Sequence, residues 1–100
     1  MKLTQHERDR LLVFLAAELA RRRLDNGVEL GHPETVALIA DEMHVAARSG
    51  GDFDDVHDAG RAAVDEEDVL DGVPDMIEMV QIEATFPEGT KLVTLTDPFE

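Results

Sequence analysis

Cysteine, tryptophan and tyrosine are absent from this 100-residue chain, serine occurs once (Ser49) and lysine twice (Lys2 and Lys91). The lack of cysteine excludes disulfide staples, thiolate nucleophiles and thiolate zinc sites, and it fits a reducing cytoplasm. One serine without a glycine-rich phosphate loop or a Gly-Lys-Thr motif leaves little from which to build a nucleophilic or phosphoryl-transfer centre. Long apolar runs are also missing. The longest, Leu11 to Ala17, is preceded by Glu7 and Asp9 and followed by Glu18 and Arg21 to Arg23, so it suits neither a signal sequence nor a bilayer span. One hundred residues suffice for one small domain with a modest core.

Acidic residues dominate, 23 against nine basic ones, for a net charge of −14. The distribution is uneven. Residues 1–23 hold six of the nine basic side chains (Lys2, Arg8, Arg10, Arg21, Arg22, Arg23) and three acids, leaving three basic and 20 acidic residues downstream. Such a surface repels nucleic acid phosphate and anionic membranes. Acid excess with few lysines also matches a protein adapted to concentrated salt, where screening removes self-repulsion.

Local signals predict a small helical domain followed by a hairpin, an α+β fold. Thr4 with Glu7 is a capping box, placing a first helix from residue 5 with an apolar stripe of Leu11, Leu12, Leu15 and Leu19, stopped by Asn26 and Gly27. Its last-turn arginines, Arg21 to Arg23, complement the helix dipole or face carboxylates on a neighbouring subunit. Pro33 opens a second helix with Val36, Ile39, Ala40, Met43 and Ala47 on its buried face, ending at Gly50 and Gly51. Asp52 caps a third helix carrying Phe53, Val56 and Ala63, in which Gly60 permits close packing. Asp65 with Asp68 opens a short fourth helix, closed by Gly72 and Pro74. The helical part thus spans about residues 5–72. From about residue 79 to 96 the period becomes two: Val80, Ile82, Ala84 and Phe86 alternate with Met79, Gln81, Glu83 and Thr85, and Pro87 to Gly89 turn the chain into a second strand. A two-stranded ribbon is marginal in water, so its apolar face needs a cover, from these helices or from another protein.

Two Asp-x-x-His pairs, Asp41 with His44 and Asp54 with His57, each place a carboxylate and an imidazole on one helix face, as in bundle metal sites. Such a site needs bridging carboxylates from two further helices, and the first helix offers only Glu7, Asp9 and Glu18 among charged neighbours. Asp55 to Glu66 mimics a calcium loop at its glycine and final glutamate, but His57 and Ala59 stand where oxygen ligands are required. Paired acids such as Asp54 and Asp55, or Glu66 to Asp68, suit helix N-termini better than acid–base catalysis. No catalytic, cofactor-binding or metal-binding residue is assigned. From these residues alone a free-standing acidic interaction module and a small metal enzyme built on His44 and His57 both remain open.

Residues 1–42, Gly60-Arg61, EDVLDGVPDMI (67–77) and QIEATFPEGTKLVTLTDP (81–98) resemble the γ subunit of microbial urease, in the family's order and essentially end to end. The resemblance implies a non-catalytic subunit of the nickel enzyme that hydrolyses urea to ammonia and carbamate. It implies α and β partners in a trimer of αβγ units, with both nickel ions and their ligands in α. No ligand position carries over, since His44 and His57 fall where the family varies. Other departures are His32, commonly tyrosine in the family, Asp65, commonly threonine or serine, and Thr96, often histidine. On this likeness the hairpin belongs to the scaffold of a larger enzyme, and its incompleteness is a sign of partners.

Overall fold

A computed structural model describes all residues, Met1–Glu100. The elements run α1 (Gln5–Asp25), α2 (His32–Arg48), α3 (Phe53–Ala62), a single 3₁₀ turn (Glu66–Asp68), α4 (Val73–Met76), β1 (Met79–Phe86) and β2 (Gly89–Thr96). Four helices followed by an antiparallel hairpin make an α+β fold, as expected.

Local chemistry sets most of the boundaries. At α1 the Glu7 amide donates to Thr4 Oγ1 (3.1 Å) and the Thr4 amide donates to Glu7 Oε1 (2.8 Å), the predicted box. At α3 the same reciprocal pair forms between Asp52 and Asp55 (2.9 and 3.0 Å). The N-cap of α2 is Gly31, whose amide donates to Glu34 Oε1 (3.1 Å), and Pro33 follows inside the first turn.

The predicted fourth helix is corrected. Glu66–Asp68 makes one 3₁₀ turn with no side-chain cap, and Val69 is already extended (φ −120°, ψ 156°). That strand-like backbone lets Leu30 donate to the Asp68 carbonyl (3.0 Å) and accept from the Leu70 amide (3.0 Å), a parallel bridge incompatible with continued helix. Gly72, at φ +85°, does not close a helix but precedes one, and Pro74 lies in the first turn of α4.

α2 is the central helix, packed by α1, α3 and β1. Ile39, Ala40, Met43 and Ala47 are buried as predicted, but so are Thr35, Ala37, Leu38 and Asp41, because neighbours enclose α2 on several sides. Val36 is only half-buried. Gly60 has a reason of its own: a Cβ there would lie 2.6 Å from Leu95 Cδ2 and 2.9 Å from Met43 Cγ, so glycine is what lets α3 close onto α2 and β2. Phe53 departs from expectation. It is exposed at the rim, edge-on to Phe86 (centroids 5.3 Å apart), with Lys91 near both rings.

The hairpin alternates as predicted, Val80, Ile82, Ala84 and Phe86 being buried, and pairs in register from Met79 with Thr96 to Phe86 with Gly89. The chain's own helices supply the cover, α2 against β1 and α3 against β2. The hairpin's apolar face is therefore not what calls for a partner. Val80, Ile82, Ala84, Phe86, Val93 and Leu95 share one 19-residue core with α1 to α3 and the 64–77 segment.

α1 is the larger correction. The core takes its small side, Ala17 and Ala20, with Val13 and Leu24 partly buried, while Leu11, Leu12, Phe14, Leu15 and Leu19 face solvent. Alanines bring the α1 backbone close to α2, and the leucines are left on the opposite side.

Candidate functional site

The strongest polar cluster lies between α1 and α2. Asp41, 1% exposed, accepts from Arg10 Nη1 (2.7 Å) and from Arg21 Nη2 (2.6 Å), one guanidinium on each carboxylate oxygen. Arg21 also donates to Glu42 (2.6 Å) and Glu18 (2.5 Å), and Arg23 to Glu34 (2.6 Å). Burial alone raises the Asp41 carboxyl, but the hydrogen bonds from Arg21 and Arg10 and their charges outweigh it and hold Asp41 below the usual carboxylate range. Burial likewise disfavours the Arg21 charge, and its bonds to Asp41, Glu42 and Glu18 more than restore it, raising its pKa above the ordinary value. The arginines expected at the dipole end or a subunit contact thus divide: Arg21 and Arg23 are engaged within the chain, whereas Arg22 makes no ion pair. Spacing along α2 pairs Asp41 with His44. Its real partners lie 31 and 20 residues away, beyond the reach of local spacing.

His44 is half-buried one turn along α2. Burial, aided by the Arg10 charge and opposed by Asp41, pushes its imidazole down to about 4, so it is neutral at pH 7. His57, on α3, donates from Nε2 to the Thr94 carbonyl (3.0 Å). Four residues further, Arg61 donates to the main-chain oxygens of Thr96 (2.9 Å), Asp97 (2.7 Å) and Glu100 (3.1 Å). This arginine clamp holds the segment after β2, where Asp97 adopts φ +47°. The Thr94 and Thr96 carbonyls point outward from β2, so α3 caps the free edge of that strand. The corresponding edge of β1 at Gln81, Glu83 and Thr85 has no such cap within the chain. Nothing in the local sequence announces Arg61 as a clamp, because its acceptors are main-chain atoms 35 to 39 positions away.

A surface cleft of about 520 Å³ opens between the start of α1, the end of α2 and β1, lined by His6, Arg10, His44, Arg48 and Ser49 among others. No hydrogen bond joins Ser49 to either histidine, so the cleft lacks the nucleophile–base contact of acyl-transfer sites. Outside the core, α1 carries more exposed large apolar side chains than any other element, with Leu12 63% and Leu15 61% exposed.

The family model "Urease, gamma subunit" matches residues 1–99. The chain belongs to that family. Proteins named urease subunit gamma from Saccharopolyspora erythraea (56% identical over 98 residues, covering 98% of both chains) and Natronomonas pharaonis (53% over 98 residues, 98% of this chain and 90% of the relative) are similar throughout. A third, from Haloquadratum walsbyi, is 50% identical over 98 residues, 98% of this chain and 91% of the relative.

As a urease gamma chain, it is a subunit of urease, a hydrolase. Urease is a nickel enzyme, and the donor sets here do not fit a resident metal. Both Asp41 oxygens are taken by guanidinium groups, His57 Nε2 is spent on a carbonyl, and no three His, Asp or Glu side chains converge. No helix is long and apolar enough to cross a membrane.

Proposed function

We propose that this chain is the non-catalytic γ subunit of a cytoplasmic urease, acting as one domain over residues 1–100 that assembles with α and β subunits in a trimer of αβγ units. On this reading the α subunit holds both nickel ions and performs urea hydrolysis, and no residue of this chain is catalytic, cofactor-binding or metal-binding. The supporting observation is the leucine side of α1. Five large apolar side chains at or above 43% exposure on one helix form the kind of surface that obligate interfaces cover, which commonly bury about 2,000 Å² or more.

Co-expression with the α and β chains tests this. The chain is expected to copurify in one complex far larger than its own 11.0 kDa, with urea-hydrolysing activity. A chain that stays monomeric beside them overturns the proposal in favour of a free-standing acidic module. Replacing both His44 and His57 by alanine is expected to leave activity of the assembled enzyme near that of wild type, measured as ammonia release per complex. Loss of activity in an intact complex revives a metal role for the two histidines.

A further inference from the structure

On α1, Arg8, Leu11, Leu12, Leu15, Leu19 and Arg22 share one side, an arc about 100° wide and opposite the buried Ala17 and Ala20. The stripe is apolar in the middle and has one arginine at each end, about 21 Å apart at 1.5 Å per residue. Both end arginines are unpaired within the chain. Arg10, Arg21 and Arg23 find carboxylates within the chain and Arg61 clamps three main-chain oxygens, whereas Arg8, Arg22 and, on α2, Arg48 make no ion pair or hydrogen bond through their side chains despite 23 acidic residues in the sequence, and two of these three lie on the stripe. Two free guanidinium groups bracketing a bare leucine stripe define a complementary surface.

We propose that this stripe docks, helix in groove, into a shallow apolar channel on a different urease subunit that carries carboxylates at both ends, about 21 Å apart. The inference rests on the subunit reading above and adds the face, the anchors and the partner's chemistry. A second copy of this chain is the wrong occupant. Antiparallel pairing of two stripes sets Arg8 against the other copy's Arg22 at both ends, and parallel pairing sets each arginine against its twin. Both arrangements oppose like charges. Apart from Met1 at the start of the chain and Phe14 on a neighbouring side of α1, the other exposed apolar residues, Val28, Val45, Phe53, Leu70, Met76, Met79 and Leu92, are scattered one apiece over separate helices, strands and loops and offer no second stripe to receive the first.

The test uses the full chain co-expressed with its urease partners and two double variants, Leu12→Ser with Leu15→Ser and Arg8→Glu with Arg22→Glu. These side chains face solvent, so the free variants are expected to melt within a few degrees of wild type. Each double variant is expected to associate with the other subunits at least about tenfold more weakly. The arginine variant's deficit should shrink in molar salt and the serine variant's should not. Wild-type association by folded variants overturns this inference and leaves the subunit reading standing. Self-association of the free wild-type chain that the serine variant abolishes also overturns it, since the occupant is then a second copy. Failure of the wild-type chain to join any urease subunit overturns the reading and the inference together.

Discussion

Asp41 is the side chain on which the α1–α2 contact turns. Replacing it with asparagine leaves Arg10 and Arg21 facing a neutral amide in a half-closed space. Removing one partner of a buried pair costs about 3–5 kcal/mol, and the roughly 30% exposure of both arginines brings the expected loss down to about 2–3 kcal/mol, readable by denaturant titration of the free chain. His44 makes stability depend on pH. Its pKa is depressed in the folded chain to about 4 from an ordinary 6.5, so between these values the unfolded chain binds the extra proton. The stabilisation is complete above pH 6.5 and is lost as the pH falls towards 4. The melting temperature should drop across that window, and His44→Gln should reduce the drop by at least about 4 °C, the change that about 1 kcal/mol produces in a domain this size. An equal drop in both proteins places the titration elsewhere. Spacing alone pairs Asp41 with His44, but the guanidinium groups that hold Asp41 ionised come from α1, and burial, ahead of the Arg10 charge, keeps His44 neutral.

Among the elements, capping and alternation were legible because they are local. Thr4 with Glu7, Asp52 at α3 and the period of two in β1 each need only a few consecutive residues. The direction of α1 was not legible. Both of its sides are apolar, and periodicity favours the larger leucines, whereas close approach of two helices selects the alanines. The 66–76 segment is illegible locally for a similar reason, since the bridge from Leu30 to Val69 is a contact across 39 positions. Gly60 is the case in which a sequence-level rule and the packing agree. A methyl group there collides with Leu95 and Met43, which are both fully buried, and the cost of overpacking, about 1–3 kcal/mol, exceeds the gain of up to about 1 kcal/mol from better helix propensity. Gly60→Ala should therefore lower stability by about 1–2 kcal/mol, with the midpoint of urea unfolding as the measurement. A stabilised Gly60→Ala would mean that Met43 and Leu95 have room to move.

For the whole molecule, the acid excess sets up self-repulsion. A net charge of −14 on 100 residues, with the basic excess confined to residues 1–23, predicts a melting temperature that climbs with sodium chloride and begins to level once screening is complete. A flat response between low and molar salt would detach the acid excess from any role in salt tolerance. The bonds from His57 to Thr94 and from Arg61 to Thr96 also bear on association through the sheet edge. Fibre growth by strand addition needs a receptive edge on both sides of every unit, so that each newcomer offers the next one a place. Here β1 has an open edge, but head-to-tail stacking onto β2 must first strip two side chains from its carbonyls. A sheet stopped on one side can pair once and then terminates, which makes the α3 side chains a built-in brake on polymerisation.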